Sequence, residues 1–225
     1  MTTVFLIRHG LTAQTGRILY GQIPGVCLDH RGQAQAQDLV RRFEPIRLTA
    51  VYSSPLERCT ETVAPLAEAQ GLHLVTSPSL IEMNAGSWTG KRLSRLRTLK
   101  AWREVQRSPS MFRFPGGEGF AEAKARVVAE VERIARRHRR GRVAVATHGD
   151  IVRMLISHYH GAPLDEFQRV VIDTASVSVV SFERGAAHVL LMNDTGGLDR
   201  FGRSPTPPWE ATSASTEKGT EKVGG

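Results

Sequence analysis

A three-layer α/β/α sandwich around a mainly parallel sheet is the fold predicted here, on two observations. Short, fully apolar runs alternate with stretches of helical periodicity over the first 160 or so residues, the pattern that builds helix-covered sheets. The two apolar runs that follow flank Gly185, as an antiparallel pair closing the sheet would.

Val4-Phe5-Leu6-Ile7 is the first strand, too short and too rich in β-branched residues for a helix. It delivers Arg8 and His9 side by side and stops at Gly10. Residues 11–30 carry scattered Gly, Pro and polar residues and read as a loop. Over 31–43, Ala36, Leu39, Val40 and Phe43 fall on one helical face, and Pro45 ends the segment. Residues 49–53 form the next strand. Ser54-Pro55-Leu56-Glu57 then has the spacing of a capping box with Pro at the first helical position. It opens a helix whose buried stripe is Leu56, Cys59, Val63, Leu66 and Ala67, with Arg58 off that stripe in the first turn. A helix start just past a strand end favours anions, and Arg58 adds a full charge to it.

Residues 72–76 are a weak strand, and 78–90 a loop containing Glu82. The segment 91–107 is helix-like and basic, with Leu93, Leu96, Leu99 and Trp102 on its apolar side; 91–114 is read as a short basic cover. A turn at 114–119 precedes a long helix with Phe120, Ala123, Val127, Val131 and Ile134 inward. Its basic end, Arg136 to Arg140, suits a helix C-terminus, with Gly141 at the C′ position. Residues 143–147 then repeat the plan of the first strand and end in His148-Gly149. The next helix buries Ile151, Met154 and Leu155. The hairpin strands are 177–182 and 188–192, and the domain runs over 1–198. From Asp199 the chain is polar and Pro/Gly-rich, which predicts a disordered tail over 199–225.

Composition narrows the function. At 225 residues, 40% hydrophobic and 23% charged, the chain is an ordinary globular protein. It has no apolar run of membrane-spanning length and no signal-like start, so a cytoplasmic protein is expected. Cys27 and Cys59 lack metal-site spacing and read as structural thiols. The net charge of +8 invites nucleic acid, but the basic residues are dispersed and few aromatics are available for stacking. An anionic small substrate accounts for the charge equally well.

Strand ends in α/β sheets are where ligands bind. Arg8, His9, Arg58, Glu82 and His148 are predicted at that edge, where two guanidiniums and two imidazoles would hold a phosphoryl dianion. A histidine can attack phosphorus covalently, and a carboxyl with a raised pKa can protonate the leaving oxygen. A metal is not expected: no His-x-x-x-His or Cys pair occurs, and the arginines would repel a divalent cation.

These motifs resemble the histidine phosphatase superfamily, also called phosphoglycerate mutase-like. The resemblance rests on Leu6 to Thr12 with its Arg-His-Gly-x-Thr signature, on Tyr52 to Thr62, on Leu80 to Gly90, on Pro115-Gly116-Gly117-Glu118 and on Thr147-His148-Gly149. It implies the fold predicted above, His9 as phosphorylated nucleophile, Glu82 as proton donor, and Arg8, Arg58 and His148 as phosphate clamp. It further implies Thr15 and Gly21 as lesser substrate contacts, no cofactor, and a homodimer as a common state. Thr15 stands where family members often have Asn, Thr89 where Trp-Glu-Gly has Glu, and Gly119 where Ser is usual. The cover is shorter than in the mutases of the family, which favours a phosphatase acting on a small acidic phosphomonoester. Arg92, Arg95, Arg97 and Arg103 on that cover are expected to favour an acidic or multiply phosphorylated substrate. Alternatives left open are a cofactor-dependent mutase, a protein-phosphohistidine phosphatase and a non-catalytic basic binding domain.

Overall fold

A computed structural model of the protein describes residues 1–202. Six strands form one sheet in the order β3-β2-β4-β1-β5-β6. They are β1 (Thr2–Arg8), β2 (Ala50–Ser53), β3 (Leu74–Thr76), β4 (Arg142–Thr147), β5 (Val177–Glu183) and β6 (Ala186–Asp194). The first four are mutually parallel; β5 runs antiparallel to β1, and β6 to β5. The helices are α1 (His30–Arg42), α2 (Glu57–Ala69), α3 (Leu93–Leu96), α4 (Lys100–Arg107), α5 (Phe120–Arg137) and α6 (Gly149–His160).

Strand alternation sends side chains to two separate cores. Phe5, Ile7, Val51, Ala144 and Ala146 face α1 and α2. Val4, Leu6, Tyr52, Val143 and Val145 face α5 and α6. Both faces are covered, which is why the central strands are apolar throughout. The predicted sandwich is therefore the observed one. In the β1–β4 ladder Arg8 sits opposite Thr147. His9 and His148 consequently leave the sheet at the same level.

Four expectations are corrected. Ser54 does not cap α2: that helix starts at Glu57 with Leu56 at its N-cap and no side-chain cap, because the Ser54 hydroxyl is engaged elsewhere. The segment 91–107 is two short helices. Thr98 Oγ1 donates to the Arg95 carbonyl, 2.8 Å, and Leu99 is extended and 38% exposed; such local bonds compete with the helix ladder. At the end of α5 the left-handed residue is Arg140, φ 63°, not Gly141. Glycine is needed at 141 for space, since a Cβ there would lie 2.7 Å from Thr49 Oγ1. Finally, the chain does not lose structure at Asp199. Asp199–Phe201 form a 3-10 turn, and buried Phe201 packs edge-on against Phe5, 5.8 Å between ring centres. The rest of the predicted tail, from 203, lies outside the described residues.

No helix among these residues is long and apolar enough to cross a membrane.

Candidate active site

A cavity of about 170 Å³ opens at the carboxyl ends of β1 and β4. Arg8, His9, Arg58, Glu82, Thr15 and Gly21 all line it. His148 does not. It is fully buried behind His9, with 5.5 Å between ring centres.

His9 follows β1 and is buried. Its Nδ1 lies 2.8 Å from the Gly10 carbonyl oxygen. A carbonyl only accepts, so Nδ1 carries the proton and Nε2 keeps its lone pair. Burial first, then the charge of Arg8, lowers the pKa of the ring to about 3. His9 is thus a neutral base with a fixed tautomer at neutral pH.

Arg8 donates from Nη1 to the Ile172 carbonyl, 2.6 Å, while its buried Nε has no protein partner. Burial lowers its pKa, and Arg153 adds to the effect. Gly149, the first residue of α6, makes room for it: a Cβ there would sit 3.1 Å from Arg8 Nε. Arg58 is 1% exposed although it falls off the apolar stripe of α2. It donates to the Gly21 carbonyl at 2.9 Å and the Ile23 carbonyl at 3.4 Å, and lies 5.5 Å from the centre of the Tyr20 ring. Its Nε is also buried without a partner. These two Nε–H groups are donors awaiting an acceptor, and a buried donor left unpaired is costly. The N-terminus of α6, uncapped by any side chain, contributes Gly149 and Asp150 to the same cavity, adding the positive end of a helix.

Glu82 accepts from the Met83 amide, 2.9 Å. Burial, reinforced by Asp150, pushes its carboxyl up to about 7. It can therefore exchange a proton near neutrality. Its loop is clasped from outside by the Pro115–Glu118 turn. Arg126 on α5 donates to the Ser79 and Ile81 carbonyls and forks onto Glu118. A Cβ on Gly117 would lie 2.3 Å from the Asn84 carbonyl oxygen, so only glycine permits the clasp. That gives the Pro-Gly-Gly-Glu motif a physical task.

His148 Nε2 is 2.9 Å from Ser54 Oγ, and its Nδ1 is 3.9 Å from Glu82 Oε2. Burial, then Arg58, holds its pKa well below the usual histidine range. Cys59 Sγ lies 3.5 Å from both His148 Nε2 and the Thr147 carbonyl oxygen. It packs as a buried thiol whose pKa burial raises, so it stays protonated. Thr15 is tied into a chain of hydroxyls with Thr12 and Tyr20, and Gly21 presents its carbonyl to Arg58.

Sequence reasoning missed Ser54 as the partner of His148. It also missed Tyr20, Asp150 and Arg153 as cavity residues. Asp150 and Arg153 pair at 2.9 Å; their signal was a position in the first helical turn after His148-Gly149. Among the described residues, no group of three His, Cys, Asp or Glu side chains is placed to hold a metal ion.

An α/β sandwich with unpartnered guanidinium donors, a neutral imidazole and a carboxyl titrating near 7 in one cavity defines an enzyme class built around a phosphoryl dianion. The particular class is the histidine phosphatase superfamily (branch 1): its family model matches residues 4–195, and the chain belongs to that family. Phosphoserine phosphatase 1 of Hydrogenobacter thermophilus is 29% identical over 203 residues, 89% of this chain and 96% of that protein. A probable phosphoglycerate mutase, GpmB of Erwinia tasmaniensis, is 27% identical over 187 residues, 82% and 86% of the two chains. The solved structure of Bacillus stearothermophilus YhfR superimposes with a TM-score of 0.81 at 27% identity, covering 86% of this chain and 98% of that one.

Proposed function

We propose that the chain is a phosphatase that hydrolyses small anionic phosphomonoesters through a phosphohistidine at His9, with no metal in the chemical steps. The observation that carries this reading is the pair of buried, unpartnered Nε–H donors of Arg8 and Arg58 in a cavity lined also by His9 and Glu82. The two guanidiniums supply the charge that a divalent cation supplies in other phosphoryl-transfer sites.

In the first step His9 Nε2 attacks phosphorus and the P–O ester bond breaks. The electron pair stays on the leaving oxygen, which takes its proton from Glu82. Water then attacks the phosphohistidine, Glu82 takes a proton from it, and the N–P bond breaks with its pair returning to Nε2. Arg8, Arg58 and His148 are assigned to the non-bridging oxygens. Ser54 Oγ accepts from the Leu56 amide at 3.4 Å, and its O–H is assigned as donor to His148 Nε2, 2.9 Å away. That leaves the His148 Nδ1–H, on the Glu82 side, for the phosphoryl group. Thr15 and Gly21 are assigned to lesser contacts.

Hydrolysis is favoured over phosphate return because the cover barely reaches the cavity. Leu93 is its only residue in the wall, while Trp102 of α4 stacks on Trp88, 6.1 Å between ring centres. A mutase needs its intermediate shielded from water. Two free cysteines, one exposed, suit a reducing cytoplasm.

The test is a brief incubation with a labelled phosphomonoester followed by alkaline quench. A label on His9 that acid removes is expected, and His9→Ala should lower phosphate release by about three orders of magnitude. With 3-phosphoglycerate the expected product is free phosphate, not the 2-isomer. Undiminished release by His9→Ala would overturn the mechanism.

A further inference from the structure

Beside the first cavity lies a second, of about 390 Å³, formed by residues 14 and 16–18 of the loop after β1 and by 92–94 and 97 of the cover. A short antiparallel ladder brings the two segments together. The Leu19 amide donates to the Lys91 carbonyl at 3.0 Å, the Gly90 amide to the Leu19 carbonyl at 2.8 Å, and the Leu93 amide to the Arg17 carbonyl at 2.9 Å. Ile18 and Arg92 form the bridge between them. Arg17, Arg92 and Arg97 thereby line one hollow that contains no carboxylate.

Arg41, Arg113, Arg136 and Arg169 are exposed, and each is paired with a nearby acid. Among the described residues, Arg17, Arg92 and Arg97 have no acidic partner within ion-pair distance. Exposed arginines without an ion pair occur elsewhere too, Arg47, Arg95 and Arg103 among them; Arg17, Arg92 and Arg97 differ in lining one hollow that shares its wall with the first cavity. Three unneutralised cations held together by backbone hydrogen bonds raise the local potential for anions. The two cavities share Gly16, Ile18 and Leu93 as wall. A Cβ on Gly16 would have no atom within 4 Å, so the shared wall is open there.

We propose that this hollow binds a second phosphoryl group, so that the preferred substrates are small molecules phosphorylated at two positions, one cut at His9 and the other held by Arg17, Arg92 and Arg97. The proposal rests on the phosphatase reading above and names its substrate class. A phosphoryl group suits the hollow better than a carboxylate, since three forked cations offer more donors than two oxygens accept. A single-stranded nucleic acid would want an aromatic platform, and the hollow has no aromatic wall. Of the four cover arginines expected to attract substrate, Arg92 and Arg97 line the hollow and Arg95 and Arg103 do not; Arg17 comes from the other side.

The experiment measures binding, so it does not depend on turnover. Isothermal titration of the His9→Ala chain at fixed ionic strength is run with straight-chain diol bisphosphates of increasing length and with the matching monophosphates. The expected result is that at least one bisphosphate binds about tenfold more tightly than its monophosphate. The ratio should fall to near one when Arg17→Ala, Arg92→Ala and Arg97→Ala are added. All three side chains are exposed, so the fold should survive; each single substitution is measured as well. The proposal is overturned if no chain length gives a gain or if the gain survives loss of the arginines. Phosphooxy-carboxylates gaining as much as the bisphosphates would also overturn it, by making the site one for carboxylate. Phosphate release by the unaltered chain decides the phosphatase reading separately.

Discussion

The Glu82 carboxyl is the group whose perturbation tests the chemistry most directly. Burial and Asp150 move it from an ordinary value of 4.5 to about 7. At pH 7 about half of such a group is protonated, against about one in three hundred for an unperturbed carboxyl, so the environment raises the supply of acid by roughly 150-fold. The sign follows: the protonated form donates in the first step, so turnover limited by that step falls as pH rises past about 7. It should drop about tenfold per unit above pH 8. Glu82→Gln keeps the shape but has no proton to give. Its loss should reach about 10² to 10⁴-fold with an alkyl phosphate, whose alkoxide must be protonated to leave. With 4-nitrophenyl phosphate, whose anion leaves unaided, the loss should be far smaller. Asp150→Asn removes the charge that raises Glu82 and leaves Arg153 uncompensated, and both changes move the descending limb to lower pH. The assay is phosphate release from the two esters between pH 5 and 9. Equal losses for both esters in Glu82→Gln, or a flat profile, would refute Glu82 as the acid.

Two further predictions concern residues that act through the clamp. Ser54→Ala frees His148 to adopt the other tautomer and leaves a buried ring nitrogen without its oxygen partner, so kcat should fall about tenfold and the melting temperature by a few degrees. Ser54→Thr should restore it, and nitrogen NMR of His148 should report the tautomer; an unaltered tautomer in Ser54→Ala would dispose of the assignment. Gly149→Ala places a methyl 3.1 Å from Arg8 Nε. It should lower kcat/KM severalfold while holding or raising thermal stability, because alanine favours the helix it begins; unchanged kinetics would show that Arg8 has room to spare.

What the sequence made legible, and what it hid, divides along one physical line. His9 and His148 could be placed because each follows a strand recognisable from four or five apolar residues, and strands in register carry their next residues to the same level. Arg58 could be placed because a helix had to begin near it. Ser54 was misread for a good reason: Ser-x-x-Glu fits a cap as well as it fits a serine turned toward an imidazole from another strand, and only the β2–β4 pairing chooses between them. Tyr20 stands in a loop with no period, so nothing local announces that it lies beside Arg58. Phe201 is the sharpest case. An aromatic in a polar, proline-rich stretch carries no periodic signal, yet this one docks on Phe5 in the middle of β1. Contacts of this kind depend on which surface the sheet leaves uncovered, a property of the assembled layers. The Arg17–Arg92–Arg97 hollow belongs to the same class: its members are 75 and more residues apart in part and join only through the ladder at 17–19 and 90–93. Local pattern therefore locates most of the charged residues that line the first cavity, while the hollow beside it depends on pairings between irregular segments.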